Sequence, residues 1–216
     1  MKNRLVHYKF SLCAVVICGL LASPLFDITH AQTTRQVSPG EARVVAQEDG
    51  ERLAIKCPHA PVVMMAGKAD GFAGGVEPAT LSPALNAFYV ANHTIRREFD
   101  EGKPDKAFGQ SFTLNPCKIC DASLELNIKN EQPGGLSNND SLTVGVAPFT
   151  PALKFATIYP LWSNSLTPLT KIVTVHIPAA ALNGYIMSNA NGPWQLDLHI
   201  QDDTAVDYAK LTVWYY

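Results

Sequence analysis

Gly192-Pro-Trp-Gln-Leu-Asp-Leu-His-Ile-Gln201 runs into Asp202-Asp-Thr-Ala-Val-Asp207, and that into Tyr208-Ala-Lys-Leu-Thr-Val-Trp214. On both sides of the acidic stretch apolar residues recur at every second position, the period of a strand. Trp194, Leu196, Leu198 and Ile200 share one face of the first strand. Leu211 and Val213 form the inner face of the second, and Tyr208, Lys210, Thr212 and Trp214 line its other face. The reading is strand, acidic turn, strand.

Working outward, the same alternation is strongest from Ala122 to Ile128, where Ala122, Leu124, Leu126 and Ile128 interleave with Ser123, Glu125 and Asn127. Further strands are expected at Arg52 to Cys57, Thr94 to Phe99, Ala107 to Leu114, Ser141 to Val146, Phe155 to Tyr159, Lys171 to Ile177 and Gly184 to Ser188. Glu101 to Pro104 and Pro133-Gly134-Gly135 read as turns between them. Pro178 to Leu182 looks like one helical turn opened by proline. Gly67 to Pro83 is rich in Gly, Ala and Pro. Within it, Gly71-Phe-Ala-Gly-Gly75 lacks the Lys-Ser/Thr of a phosphate loop, so it is expected to be a loop. Many short strands without α/β alternation predict an all-β fold, an antiparallel β-sandwich or jelly-roll-like single domain over residues 93–216. Residues 32–92 are expected to be an irregular region packed on it.

The strand–acidic turn–strand stretch resembles the closing hairpin of jelly-roll domains such as the accessory domain of subtilisin-like proprotein convertases. The resemblance covers about 25 residues and implies a fold class without assigning a role to any residue.

The chain has 216 residues, 17 Lys+Arg against 19 Asp+Glu, 47% hydrophobic and 17% charged residues. That composition builds a core, and it argues against a disordered chain and against a basic nucleic-acid binder. Lys2, Arg4 and Lys9 precede an apolar run from Phe10 to Phe26, and Thr29-His30-Ala31 ends it on a small residue. Residues 1–31 therefore read as an export signal, and the expected product is secreted or periplasmic with no membrane span after signal removal. Asn92-His93-Thr94 and Asn139-Asp140-Ser141 are glycan acceptor patterns only if the host has that route.

Cys57, Cys117 and Cys120 remain beyond the signal. A disulfide between Cys57 and one of the other two is expected, leaving one thiol. Two rival readings use the same residues: a redox pair in Cys117-Lys-Ile-Cys120, against which the strand that follows argues, and a zinc site completed by His59.

Asp202, Asp203 and Asp207 place three carboxylates within six residues. A hard cation such as calcium would relieve their repulsion, with Asp140 or Asn139 contributing from another turn. A solvated turn whose Asp side chains cap backbone N–H groups explains the same residues without an ion. For catalysis, His93, Arg96, Arg97, Glu98 and Asp100 form the densest ionisable cluster, with Arg96, Glu98 and Asp100 on one face if the segment is extended. Ser137, Ser163 and Ser165 lack the glycines of a nucleophile elbow. His176 and His199 read as sheet histidines.

The function expected is an exported non-catalytic binding module for carbohydrate or another extracytoplasmic protein. Tyr208, Trp214 and Tyr216 would be the ligand contacts, because aromatic faces offer large contact area at low entropy cost. One alternative is a structural or adhesive subunit of a cell-surface assembly that uses an open sheet edge. A small secreted hydrolase is the other.

Overall fold

The computed structural model describes residues 57–132, 139–163 and 167–216. The expected export signal at 1–31, the segment 32–56 with most of its expected strand, the expected turn at Pro133-Gly134-Gly135, Ser137 and Ser165 lie outside the described residues. In chain order the elements are β1 (Val62–Gly67), α1 (Pro83–Ala91), β2 (Arg96–Arg97), β3 (Ala107–Thr113), β4 (Ile119–Asn130), β5 (Leu142–Gly145), a 3-10 turn at Pro151–Leu153, β6 (Lys154–Ile158), β7 (Thr170–His176), α2 (Ala179–Ser188), β8 (Gln195–Ile200) and β9 (Thr204–Tyr215).

β4 and β9 carry the alternation furthest. Ala122, Leu124, Leu126 and Ile128 are fully buried, while Ser123, Glu125 and Asn127 on the opposite face are half-buried. β9 lies antiparallel beside β4 and turns Ala209, Leu211, Val213 and Tyr215 the same way. Each large aliphatic side chain so buried contributes about 1.5–3 kcal/mol. β1 and β7 flank this pair, giving a four-stranded sheet in the order β1-β9-β4-β7. A second sheet, in the order β2-β3-β8-β5-β6, supplies Phe108, Phe112, Leu142, Val144, Leu196, Leu198 and Ile200 to the same core.

The all-β sandwich or jelly roll is not what forms. The fold is mixed α/β, with two helices and nine strands in two sheets that are not closed into a barrel or sandwich. Three physical causes underlie the difference. First, two segments are helical. Ser82 caps α1 by accepting from the Leu85 N–H, and Pro83 stands at the first helical position, where its missing N–H costs nothing. α2 absorbs both the single turn expected at Pro178 to Leu182 and the strand expected at Gly184 to Ser188. Its Ala179-Ala-Ala-Leu start favours helix, and it buries Leu182. Second, β2 pairs with β3 in parallel, and it covers only Arg96–Arg97 of the longer strand expected there. Asp100 ends the extended run with a left-handed backbone, φ 59°.

The third cause concerns the closing hairpin that suggested a jelly roll. β8 and β9 do not pair: β8 lies between β3 and β5, and β9 between β1 and β4. The acidic stretch is a crossover from one sheet to the other. Only Gln201 to Asp203 form it, since β9 begins at Thr204 and contains Asp207.

α1 packs on the face of the five-stranded sheet turned away from the core, where Leu85 and Tyr89 meet Ala107 and Ala147. Gly109 permits this approach, because a Cβ there would lie 2.5 Å from the Tyr89 hydroxyl. Beneath the helix, Asp197 accepts from the Ser111 hydroxyl at 2.5 Å and from the Ala147 N–H at 2.9 Å, and Ser111 accepts from the Ser82 N–H. A disulfide joins Cys57 to Cys120 across 63 residues, and Cys117 is free and exposed. With two sulfurs so bonded, neither the zinc site nor the Cys117–Cys120 redox pair exists in this form. Among the described residues no helix is long and apolar enough to cross a membrane.

Candidate functional site

The bulge in β9 decides where the acidic residues point. Between the pairs Asn127–Tyr208 and Ile128–Val206 the register shifts by one, leaving Asp207 as the extra residue. Asp207 is buried. Its Oδ2 accepts from Asn127 Nδ2 at 2.8 Å, and its Oδ1 accepts from the Gly71 and Phe72 N–H groups, both at 3.1 Å. Asp207 thereby holds the Gly-rich loop after β1 against β9.

The three aspartates read as one cation site fall into two groups. Asp207 joins Asp70 and Asp100, and Asp202 and Asp203 join Asp140. In each group one ligand atom per residue lies within 4.8 Å of the others, so both triads have the proximity needed to coordinate a metal ion. Asp140 had a place in the sequence reading because it stands in a turn. Asp70 and Asp100 had none, as nothing local ties them to β9.

The two groups differ in what else holds their oxygens. In the first, Asp70 Oδ1 accepts from the Ala73 N–H, and only the two oxygens of Asp100 are buried without a hydrogen-bond partner. Burial first, and then the charges of Asp207, Asp70 and Glu77, raise the Asp100 carboxyl to about 6. In the second, Asp140 is fully buried. Its Oδ2 accepts from Thr204 Oγ1 at 2.5 Å, and its Oδ1 has no partner. Asp202 Oδ1 has none either, and Asp203 Oδ1 accepts from the Asp105 N–H at 3.3 Å. Burial, reinforced by the charges of Asp203 and Asp202, raises Asp140 to about 7, against the pull of the Thr204 hydroxyl and the Asp203 N–H.

Arg97 is a fully enclosed cation. Its donors all go to main-chain carbonyls: Nε to Lys106 at 2.7 Å, Nη1 to Glu101, and Nη2 to Lys103 and Asp202. Desolvation lowers its pKa, and Glu131, Glu101, Asp140 and Asp203 act against that. The guanidinium therefore organises the loop 101–106 and the Asp202 main chain without giving the carboxylates of the Asp140 group a donor.

The ionisable cluster around His93 is taken up by structure. Glu98 receives Arg96 on one oxygen and the Ala79 N–H on the other. His93 is exposed with φ 51°, and Asp100 points to the Asp70 group. The shared face expected for Arg96, Glu98 and Asp100 thus reaches only to Glu98.

The expected ligand aromatics spread along β9. Tyr208 is 8% exposed and donates to Glu125 Oε1 at 3.0 Å, while Lys210 Nζ stands 2.8 Å from the same oxygen. Trp214 is half-buried on the same face, at the far end of the strand. Tyr216 lies beyond it, 55% exposed, with the Lys118 ammonium 4.3 Å from its ring centre. At about 3.4 Å per residue, Tyr208 and Trp214 are about 20 Å apart, too far to grip one small ring together.

Two residues that sequence reasoning did not connect complete the Trp214 end. Asp121 of β4 is opposite Trp214, and His176 of β7 brings Nδ1 to 3.3 Å from Asp121 Oδ1. The row Trp214–Asp121–His176 crosses three adjacent strands on one face. Only the outward parity of Asp121, one step before the buried Ala122, hinted at it. Val63, Met65 and Ile172 on the same face are 55%, 49% and 63% exposed, so the face is open there. No family model and no curated protein matches this chain.

Proposed function

We propose that the protein is an exported, non-catalytic binding module that takes an extended carbohydrate along the outward face of its four-stranded sheet. The observation that carries this reading is the line of groups on that face. An indole, a carboxylate and an imidazole cross the strands at Trp214, Asp121 and His176, and the Glu125–Lys210 pair stands further along β9. Aromatic faces stack on sugar rings while polar side chains receive the hydroxyls. A spread of about 20 Å suits a polymer rather than a monosaccharide. The Cys57–Cys120 disulfide supports an oxidising compartment and hence export. Calcium is the ion this reading assigns to the acidic triads, whose all-oxygen donors suit a hard cation.

Binding is tested by titrating soluble polysaccharides while following tryptophan fluorescence. A saturable change in the wild type that Trp214→Ala weakens at least tenfold, at an unchanged melting temperature, is the expected outcome. No saturable response to any glycan, with or without calcium, would sink the reading.

A second reading is favoured by one observation. β1 is an edge strand that exposes Val62, Val63 and Met65, and an apolar edge invites strand addition by another chain. In that case the protein is a subunit of a surface assembly, and light scattering of the purified chain would find large oligomers that Met65→Lys dissolves.

A further inference from the structure

We propose that Asp140, Asp202 and Asp203 form a calcium site that pins the crossover between the two sheets. This deepens the reading of calcium as the ion of the module and rests on it, while assigning the ion to one triad and giving it a structural task.

The site joins two distant segments. Asp140 lies just before β5, and Asp202 and Asp203 form the crossover from β8 to β9. Their ligand atoms lie within 4.8 Å of one another, the span reached by oxygens on opposite sides of a calcium ion at about 2.4 Å each. Magnesium demands near-ideal octahedral geometry and gives up its waters reluctantly, and zinc prefers nitrogen and sulfur, so an all-carboxylate cluster suits calcium better.

A cluster of carboxylates alone does not make a site. Here a second observation points to a ligand: Asp140 is 0% exposed, and its Oδ1 has no hydrogen-bond partner, although Oδ2 is fixed by Thr204. Asp202 Oδ1, also shielded and without a partner, completes an open pair of acceptors. A buried carboxylate oxygen left in this state is costly, and a cation removes the cost. Among the described residues no Lys, Arg or His forms an ion pair with the three carboxylates, since Arg97 spends its donors on carbonyls. The other triad is less suited, because Asp207 has committed both its oxygens to Gly71, Phe72 and Asn127.

Trp162 provides the probe. Its Nε1 donates to Thr204 Oγ1 at 2.6 Å, and Thr204 in turn donates to Asp140, so the indole stands one side chain from the site. Terbium, a luminescent calcium substitute, added to the full-length purified chain should give tryptophan-sensitised emission that calcium titrates away. Calcium alone should raise the melting temperature by several degrees. Trp162→Phe should lose most of the emission and keep the calcium-dependent shift. Asp140→Asn and the partly exposed Asp202→Asn should lose both responses, and Asp100→Asn should keep both. Should Asp140→Asn fail to fold, Asp202→Asn decides the matter. The proposal falls if calcium up to about 10 mM, well above the range of extracellular modules, neither shifts melting nor displaces terbium. It falls equally if only Asp100→Asn abolishes the responses. Absence of glycan binding while the terbium signal behaves as described would defeat the carbohydrate reading and leave this site standing.

Discussion

The two sheets share a core but treat their outward faces oppositely. The five-stranded sheet is covered by α1, and beneath the helix lies a polar layer of Asp197, Ser111, Ser82, Tyr89 and His199 whose hydrogen bonds are largely made internally. The four-stranded sheet leaves Val63, Met65 and Ile172 in water and places Glu125, Lys210 and His176 where a partner can reach them, with Asp121 buried behind His176. Polar groups on the first face serve the fold, because losing a partner there strands a buried donor. Similar groups on the second face contribute little to stability, since exposed ion pairs are worth about 0–1 kcal/mol. A sheet that stabilises itself on one side and leaves the other open is what the proposed binding role requires.

The largest expected effect breaks the covered face. Asp197→Ala leaves the Ser111 hydroxyl and the Ala147 N–H without their acceptor in a buried position. At about 1–3 kcal/mol for each stranded group, a loss of about 3–5 kcal/mol is expected. It should appear in urea unfolding as a lowered midpoint at unchanged slope. A loss below 1 kcal/mol would mean that this polar layer does not support the fold, and the contrast between the faces would vanish.

A smaller effect comes from His199 on the same face. Tyr89 spends its hydroxyl proton on the Phe108 carbonyl at 2.8 Å, so His199 Nδ1–H donates to the Tyr89 oxygen at 2.9 Å, which puts a proton on Nδ1. Phe88, Tyr89 and Phe149 surround the imidazole, and burial lowers its pKa from 6.5 to about 4, with Asp202 acting weakly the other way. Below pH 6.5 the unfolded chain takes up a proton that the folded chain refuses. Stability is therefore unaffected above that pH, falls as pH drops towards 4, and loses about 2 kcal/mol between pH 7 and pH 5. The difference in pH dependence between wild type and His199→Gln measures this share apart from the carboxylates. Parallel curves for the two proteins would place the ring in water.

How much of this was readable beforehand depends on the range of the interaction. The inward and outward faces of β4 and β9 were legible, because alternation is local and Leu124, Leu126, Leu211 and Val213 obey it. Sheet membership was not. Trp194 to Ile200 and Tyr208 to Trp214 look alike as strands whether they pair with each other or cross between sheets, and their partners lie 52 to 151 residues away. The helices escaped because α1 is a short segment that follows directly on the Gly-, Ala- and Pro-rich stretch, and α2 contains Gly184-Tyr-Ile-Met-Ser188, which passes for a short strand. The acidic stretch was legible as a cluster of carboxylates but not as parts of two clusters. The bulge that turns Asp207 away from Asp202 and Asp203 has no signature in the residues around it.

The smallest effect sharpens the comparison on the open sheet itself. Ile172 and Val175 both belong to β7, but Ile172 is 63% exposed whereas Val175 is 5% exposed and packs in the core. Thr keeps the β-branched shape that suits a strand at both positions, so backbone preference largely cancels. What remains is solvent. At Val175 the new hydroxyl enters an apolar core with no acceptor assigned to it, which should cost about 1–3 kcal/mol. At Ile172 most of the side chain is already in water, and the change should stay within about 0.5 kcal/mol. Paired urea titrations of Val175→Thr and Ile172→Thr measure the difference directly. If Ile172→Thr destabilised as much as Val175→Thr, the outward face would be covered in solution and unavailable to a ligand. If instead only the oligomeric state changed with Ile172→Thr, the open face would be an interface between copies, and the assembly reading would displace the carbohydrate one.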